Sequence, residues 1–286
     1  MDKVIGLGEM GVRLAEELSE HPEYRIYKIG THLKERGTLA LDPCDNMEEY
    51  EKNFDAEEAY IYLRSIKDGD HVLVATGGGE AINGVLLRLL ETISHAKLNV
   101  LYVCPDRTMM SHIERRDDKI AFKVLQEYAR SGILEQLLLV DRPTVESYVG
   151  DVPIQEYEKS VAHLIAYGFA MVNYYNHTDP VLSTSLDTTP WSRMSSFGLS
   201  SLEEDQGDVR LFFPLSEPNS YHFFYGIPAS MMESDGSLMQ KIKSHVKRYK
   251  TETASASFSV YETTFENIMV LCAGYTDKIQ DFAHHS

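Results

Sequence analysis

Short apolar runs and amphipathic stretches take turns along the first half of the chain. Val4–Leu7 reads as a strand, Val12–Ser19 as a helix and Tyr24–Ile29 as a second strand. Residues 30–53 are polar and acidic with no clear period, and read as a long surface loop with helical pieces. Ala56–Ile66 suits a helix, closed by the turn Lys67-Asp68-Gly69-Asp70. Val72–Ala75 predicts a buried strand, Gly84–Ser94 a helix, and Asn99–Cys104 a strand ended by Pro105. Asp117–Ser131 predicts a helix stopped by Gly132, and Leu137–Val140 another strand. These strands are apolar runs and do not alternate, so both their faces are covered. The expectation is an α/β fold, a mostly parallel sheet with helices on both faces.

Ile154–Asn176 is different. Ile154, Tyr157, Val161, Leu164, Ile165, Gly168, Met171, Val172 and Tyr175 follow helical spacing, and Ala162, Ala166, Phe169 and Ala170 fill much of the rest. A helix apolar nearly all round is buried on several sides, which suits a long central spine between subdomains. His177–Ser200 reads as a turn-rich connection. Strands are expected at Val209–Phe213, Tyr221–Tyr225, Ala256–Tyr261 and Ile268–Cys272, with a helix over Ser237–Lys250. The organisation predicted is an α/β domain over 1–152, a central helix over 153–177 and a smaller C-terminal α+β domain over 178–286.

Two glycine-rich turns stand where a strand hands over to a helix: Gly6-Leu7-Gly8-Glu9-Met10-Gly11 and Gly77-Gly78-Gly79-Glu80-Ala81-Ile82-Asn83-Gly84. Glycines let backbone N–H groups approach a phosphate, and the helix behind them adds its positive end. Gly8 and Gly78 are expected at the same carboxyl edge of one parallel sheet, opening on a shared cleft. Glu80 puts a carboxylate where phosphate charge would sit. Two unit charges about 4 Å apart repel by about 4 kcal/mol at an effective dielectric near 20. Glu80 therefore replaces a phosphate at orphan N–H groups, or joins one through a bridging Mg²⁺; the sequence leaves both open.

Composition narrows the partners. The net charge is −17 over 286 residues, which argues against nucleic acid and acidic membrane. The basic run Lys241–Lys250 reads as a solvated helix face. No run is long enough for a membrane span. The three cysteines are widely spaced, fitting a reducing cytoplasm. No HExxH pair, zinc spacing or GxSxG elbow occurs, so no catalytic zinc and no serine hydrolase is expected.

The first turn Gly6–Gly11, the triple glycine within Thr76–Gly84, Val103-Cys104-Pro105, the buried helix, Ser185-Leu186-Asp187-Thr188-Thr189-Pro190 and the closing run Ile268–Tyr275 come in an order that resembles the tubulin/FtsZ superfamily over nearly the whole chain. Gly6, Gly8, Glu9, Met10 and Gly11 look like that family's first phosphate loop. Gly77, Gly78, Gly79, Glu80 and Ala81 look like its GGGTG[ST]G signature, with Glu80-Ala81-Ile82-Asn83 in place of Thr-Gly-[ST]-Gly. Glu114 and Arg116 resemble the acid and arginine of its ribose-contacting segment, and Tyr157 the aromatic residue that stacks on guanine, with Val161 where a polar residue would read the base. Ser185–Pro190 falls at the catalytic NxDxxD loop, of which Asp187 alone survives. The short chain without a charged tail is more similar to divergent members, viral ones among them, than to cell-division proteins.

The resemblance implies GTP or GDP with Mg²⁺, a cytoplasmic cytoskeletal-type protein and head-to-tail homo-oligomers. The substitutions at the chemistry imply weakened or lost GTP binding and slow or absent hydrolysis. Rival readings of the residues remain. The chain could be a non-polymerising pseudo-GTPase binding module. Ile5–Leu18 would also pass as a Rossmann turn, with Lys34 and Arg36 after Gly30-Thr31-His32 suiting an NADP-dependent oxidoreductase. Asp187-Thr188-Thr189-Pro190 is also a helix start, Asp106-Arg107 and Asp141-Arg142 read as surface ion pairs, and Trp191 reads more simply as core than as a contact.

Overall fold

The computed structural model describes residues 2–185, 191–202 and 209–282. The chain forms two compact units, one ending at Tyr167 and the other beginning at Gly168.

In the N-terminal unit β1 (Lys3–Leu7) runs straight into α1 (Gly8–Leu18), followed by β2 (Arg25–Gly30), β3 (Leu39–Ala40), α2 (Met47–Asn53), α3 (Ala56–Leu63) and β4 (His71–Gly77). A 3₁₀ turn (Ala81–Val85) leads into α4 (Leu86–Thr92), then β5 (Lys97–Cys104), α5 (His112–Ser131), β6 (Gln136–Asp141), α6 (Arg142–Val149) and the start of α7 (Tyr157–Asn176). The strands lie in the order β3-β2-β1-β4-β5-β6, all parallel. Val72–Ala75 and Val100–Val103 are buried throughout, as two-sided burial of central parallel strands requires. Leu7 pairs with Thr76, so both glycine turns leave the same carboxyl edge, as expected.

Caps decide where the helices begin. Ser111 and Glu114 close a capping box that starts α5 five residues before the Asp117 the apolar pattern suggests, and Gly132 ends it at φ 84°. α6 was not expected from its composition. Asp141 accepts from the Thr144 N–H and Pro143 sits in the first turn, so the predicted Asp141-Arg142 surface pair is a helix start instead. Asp106 likewise caps the Thr108 N–H, and the Arg107 guanidinium lies 3.7 Å from Asp118. α1 begins at Gly8, four residues ahead of its predicted start.

The C-terminal unit holds the rest of α7, then β7 (Leu182–Ser183), β8 (Met194–Ser200), β9 (Arg210–Leu211), β10 (Ser220–Pro228), α8 (Ala229–Ser234), α9 (Leu238–Arg248), β11 (Ser255–Thr263) and β12 (Met269–Thr276). Its strands run β8-β12-β10-β11-β7, with β10 and β11 parallel and the others antiparallel. One face packs Phe223, Tyr225, Phe258 and Val260 against Leu238, Ile242 and Val246 of α9. On the other, Tyr175 of α7 lies 4.3 Å from the Tyr261 ring and stacks on Phe224, and Gly168 admits Phe197 and Phe212. The lysines of α9 point to solvent, as read from sequence.

Three expectations need correction here. The turn-rich connection contains β8, whose Met-Ser-Ser-Phe-Gly-Leu-Ser lacks a strand-like run and is held by its register on β12. The strand expected over Val209–Phe213 shrinks to Arg210–Leu211. Ile154 precedes α7 and is 91% exposed, and the helix shows an exposed strip at His163, Tyr167 and Tyr174. Among the described residues no helix is long and apolar enough to cross a membrane, and no group of three potential ligands could hold a metal ion.

Candidate functional site

At the shared carboxyl edge the first turn is built to bring α1 close to the sheet. A side chain at Gly6 would collide with the Gly11 carbonyl, and one at Gly11 with the Ala75 carbonyl. Gly8 opens α1 at φ +77°, a left-handed conformation that glycine adopts without strain. The first N–H groups of α1 therefore face the edge without intrahelical partners.

Glu80 fills that position. Its Oε2 accepts from the Glu9 N–H at 2.7 Å and its Oε1 from the Met10 N–H at 3.1 Å. The surrounding glycines are shaped to the carboxylate: a Cβ on Gly8 would collide with Oε2, and one on Gly77 would stand 2.7 Å from Oε1. Burial pushes the Glu80 carboxyl up to about 7, while the two N–H donors pull it the other way. A phosphate oxygen at either amide would have to displace this carboxylate.

Behind the second turn lies another buried acid. The Tyr102 hydroxyl donates to Asp118 Oδ1 at 2.7 Å, and Gly78 is pressed against both side chains. Burial pushes Asp118 up to about 6, opposed by that hydrogen bond and by Arg107. Within the turn, Asn83 donates to the Gly77 carbonyl at 2.6 Å and accepts from Thr76 Oγ1 at 2.7 Å. The loop is thus braced by its own side chains.

A cavity of about 310 Å³ remains, near the small end of the roughly 300–1,000 Å³ range of small-molecule sites. Glu9, Met10, Gly77, Gly78 and Glu80 line it, together with Arg13, Val103, Pro105, Arg142 and Glu158. Its cations are engaged. Arg13 meets Glu9 at 2.8 Å, and Arg142 binds Glu146 at 2.7 Å and also Glu158. With three carboxylates and two paired guanidiniums, the walls are not an anion trap.

The other expected residues stand elsewhere. Gly6 and Gly11 serve strand–helix packing. Gly79 and Ala81 belong to the second turn without lining the cavity. Glu114 is engaged in the α5 cap and Arg116 pairs with Asp117 at 2.9 Å. Tyr157, the first residue of α7, is half-buried, its phenol raised above the usual range by burial and by Glu146. Asp187 lies outside the described residues. Arg13, Tyr102, Asp118 and Glu158 were not singled out from sequence, and Arg142 was read only as half of a surface ion pair. Arg142 could have been found: Asp-Arg-Pro after a strand marks a helix start at the same edge.

The sequence matches no protein-family model and no curated protein sequence. Its structure is similar to FtsZ from M. jannaschii, solved as an empty dimer, at TM-score 0.71 and 13% identity over 96% of this chain and 87% of that one. It is similar to Bacillus thuringiensis serovar israelensis TubZ, solved as a GTPγS-form protofilament, at TM-score 0.71 and 13% identity over 97% and 86%. GDP-bound CetZ1 from Haloferax volcanii matches at TM-score 0.69 and 13% identity over 96% and 94%. Over nearly its whole length the chain has the tubulin/FtsZ-like fold.

Proposed function

We propose that this chain is a divergent self-associating protein of the tubulin/FtsZ type whose nucleotide site is filled by its own Glu80. GTP or GDP binding is then weak or lost, hydrolysis is slow or absent, and association is head to tail. The observation that carries this reading is the Glu80 carboxylate on the Glu9 and Met10 amides. Those two donors are the groups a phosphate would use, and a carboxylate that stays ionised beside a phosphate costs up to about 4 kcal/mol at an effective dielectric near 20. The pairing of Arg13 with Glu9 and of Arg142 with Glu146 and Glu158 supports it, because both guanidiniums already face carboxylates of the chain. Head-to-tail association draws on the solved neighbours, one of them a protofilament. Such heterologous contacts extend without closing. In the sequence Ser185–Pro190, which resembles the catalytic loop, Ser185 and Pro190 supply neither carboxylate nor amide side chain to position a water, which supports slow hydrolysis.

Calorimetric titration with GTP, with and without Mg²⁺, tests the site. The wild type should bind poorly, and Glu80→Thr should gain up to about a thousandfold. Tight binding by the wild type without Mg²⁺, or no gain in Glu80→Thr, would overturn the reading. Light scattering should rise with protein concentration whether or not nucleotide is present, and Trp191→Glu, at a residue 60% exposed, should suppress that rise. A chain that never scatters is the non-polymerising binding module instead.

A further inference from the structure

The helices that follow β3, β4 and β5 in the N-terminal unit carry an unusual outer surface. Right-handed crossovers between parallel strands in the order β3-β2-β1-β4-β5-β6 put α3, α4 and α5 on one face of that sheet. Packing agrees, since α3 contacts α4, and α4 and α5 both contact the Ala81–Val85 turn. α5 presents Ile113 and Ile120, 61% and 52% exposed and one heptad apart, among the exposed cations Arg116, Lys119 and Lys123. α3 presents Tyr60 and Ile61, 57% and 55% exposed, beside the exposed acids Glu57 and Glu58. Lys119, Lys123, Glu57 and Glu58 form no ion pair within the described residues. In a chain of net charge −17, a basic and apolar helix face next to an acidic and apolar one is a pair of complementary patches.

We infer that this α3–α4–α5 face docks a second copy of the same chain about a two-fold axis running along α4. That operation sets α5 of each copy on α3 of the other, so both patches are used twice and the contact closes. The charges fit it. Along α3 the order is acid then base, from Glu57 to Arg64; along α5 it is base then acid, from Lys119 to Glu127, the latter also reaching Arg130. The apolar side chains supply the desolvated centre and the charges set the register. This surface lies on the helix layer and uses none of the glycine-edge residues, so it stands or falls apart from head-to-tail association.

Sedimentation equilibrium of the full-length Trp191→Glu chain, the variant expected to lack the head-to-tail contact, tests this at low salt. A monomer–dimer equilibrium is expected. Lys119→Glu with Lys123→Glu should raise the dimer dissociation constant about tenfold or more, as should Glu57→Lys with Glu58→Lys. All four changes together should return it toward the parent value. Ile120→Asp should remove the dimer at micromolar concentrations. Every substituted residue in the patch is exposed, so folding is spared. A chain that stays monomeric, charge variants without effect, or a four-change chain that stays as weak as either pair would overturn the inference. Absence of scattering in the wild-type chain, with the dimer of the Trp191→Glu chain intact, would instead refute only head-to-tail assembly.

Discussion

Gly8 and Gly79 share a backbone conformation, φ +77° and +75°, yet stand in opposite surroundings. Gly8 belongs to the turn that offers its amides, and a side chain there would collide with the Glu80 carboxylate and approach Ile82 at 2.8 Å. Gly79 belongs to the turn that supplies Glu80, and a side chain there would meet the Met110 methyl at 2.5 Å, the far end of a flexible chain. One glycine is enclosed by a fixed, hydrogen-bonded group, the other by something that can move. A glycine-rich turn therefore marks where backbone needs room without saying what fills the room. Here one turn fills the other.

Substitutions that put a methyl group at each position would sharpen this contrast. Gly8→Ala adds left-handed strain to a collision with a carboxylate that cannot retreat without losing two N–H donors. It should destabilise the fold by about 4 kcal/mol, read from urea unfolding midpoints. Should it prove mild, Glu80 is not held as tightly as its hydrogen bonds suggest.

The charge of Glu80 gives a somewhat smaller effect with a defined sign. Its carboxyl stands at about 7 in the folded chain against a usual 4.5, so between those values the folded chain holds a proton that the unfolded chain has released. Stability from this group is complete below about pH 4.5 and falls as pH rises through 7, by about 3 kcal/mol in all. Urea unfolding of wild type and Glu80→Gln across pH 4.5–8 should show a descending slope in the wild type that the variant lacks. Parallel slopes would mean that the N–H donors hold the carboxylate ionised and outweigh its burial.

Gly79→Ala should be the mildest, about 1 kcal/mol, since only backbone strain is added while Met110 swings aside. A cost equal to that of Gly8→Ala would dissolve the distinction between the two turns.

Much of this was legible along the chain because it depends on local pattern. Apolar runs such as Val72–Ala75 and Val100–Val103 fixed parallel, two-sided strands; the glycines after β1 and β4 fixed two turns at one edge; near-continuous apolarity marked α7. Caps were legible in principle, since Ser111 with Glu114 and Asp141 with Pro143 carry helix starts in their own residues. β8 was not, because Met-Ser-Ser-Phe-Gly-Leu-Ser has no strand-like run and becomes a strand only by pairing with β12. The partner of Glu80 was not legible either. The Glu9 amide lies 71 residues away, and only the register that aligns Leu7 with Thr76 sets the two turns face to face. Local sequence determines backbone conformation and which face is buried, because those energies are set within a few residues. Which group satisfies an orphan N–H is decided by strand register, a property of the assembled sheet, and that register set the Glu80 carboxylate on the first amides of α1.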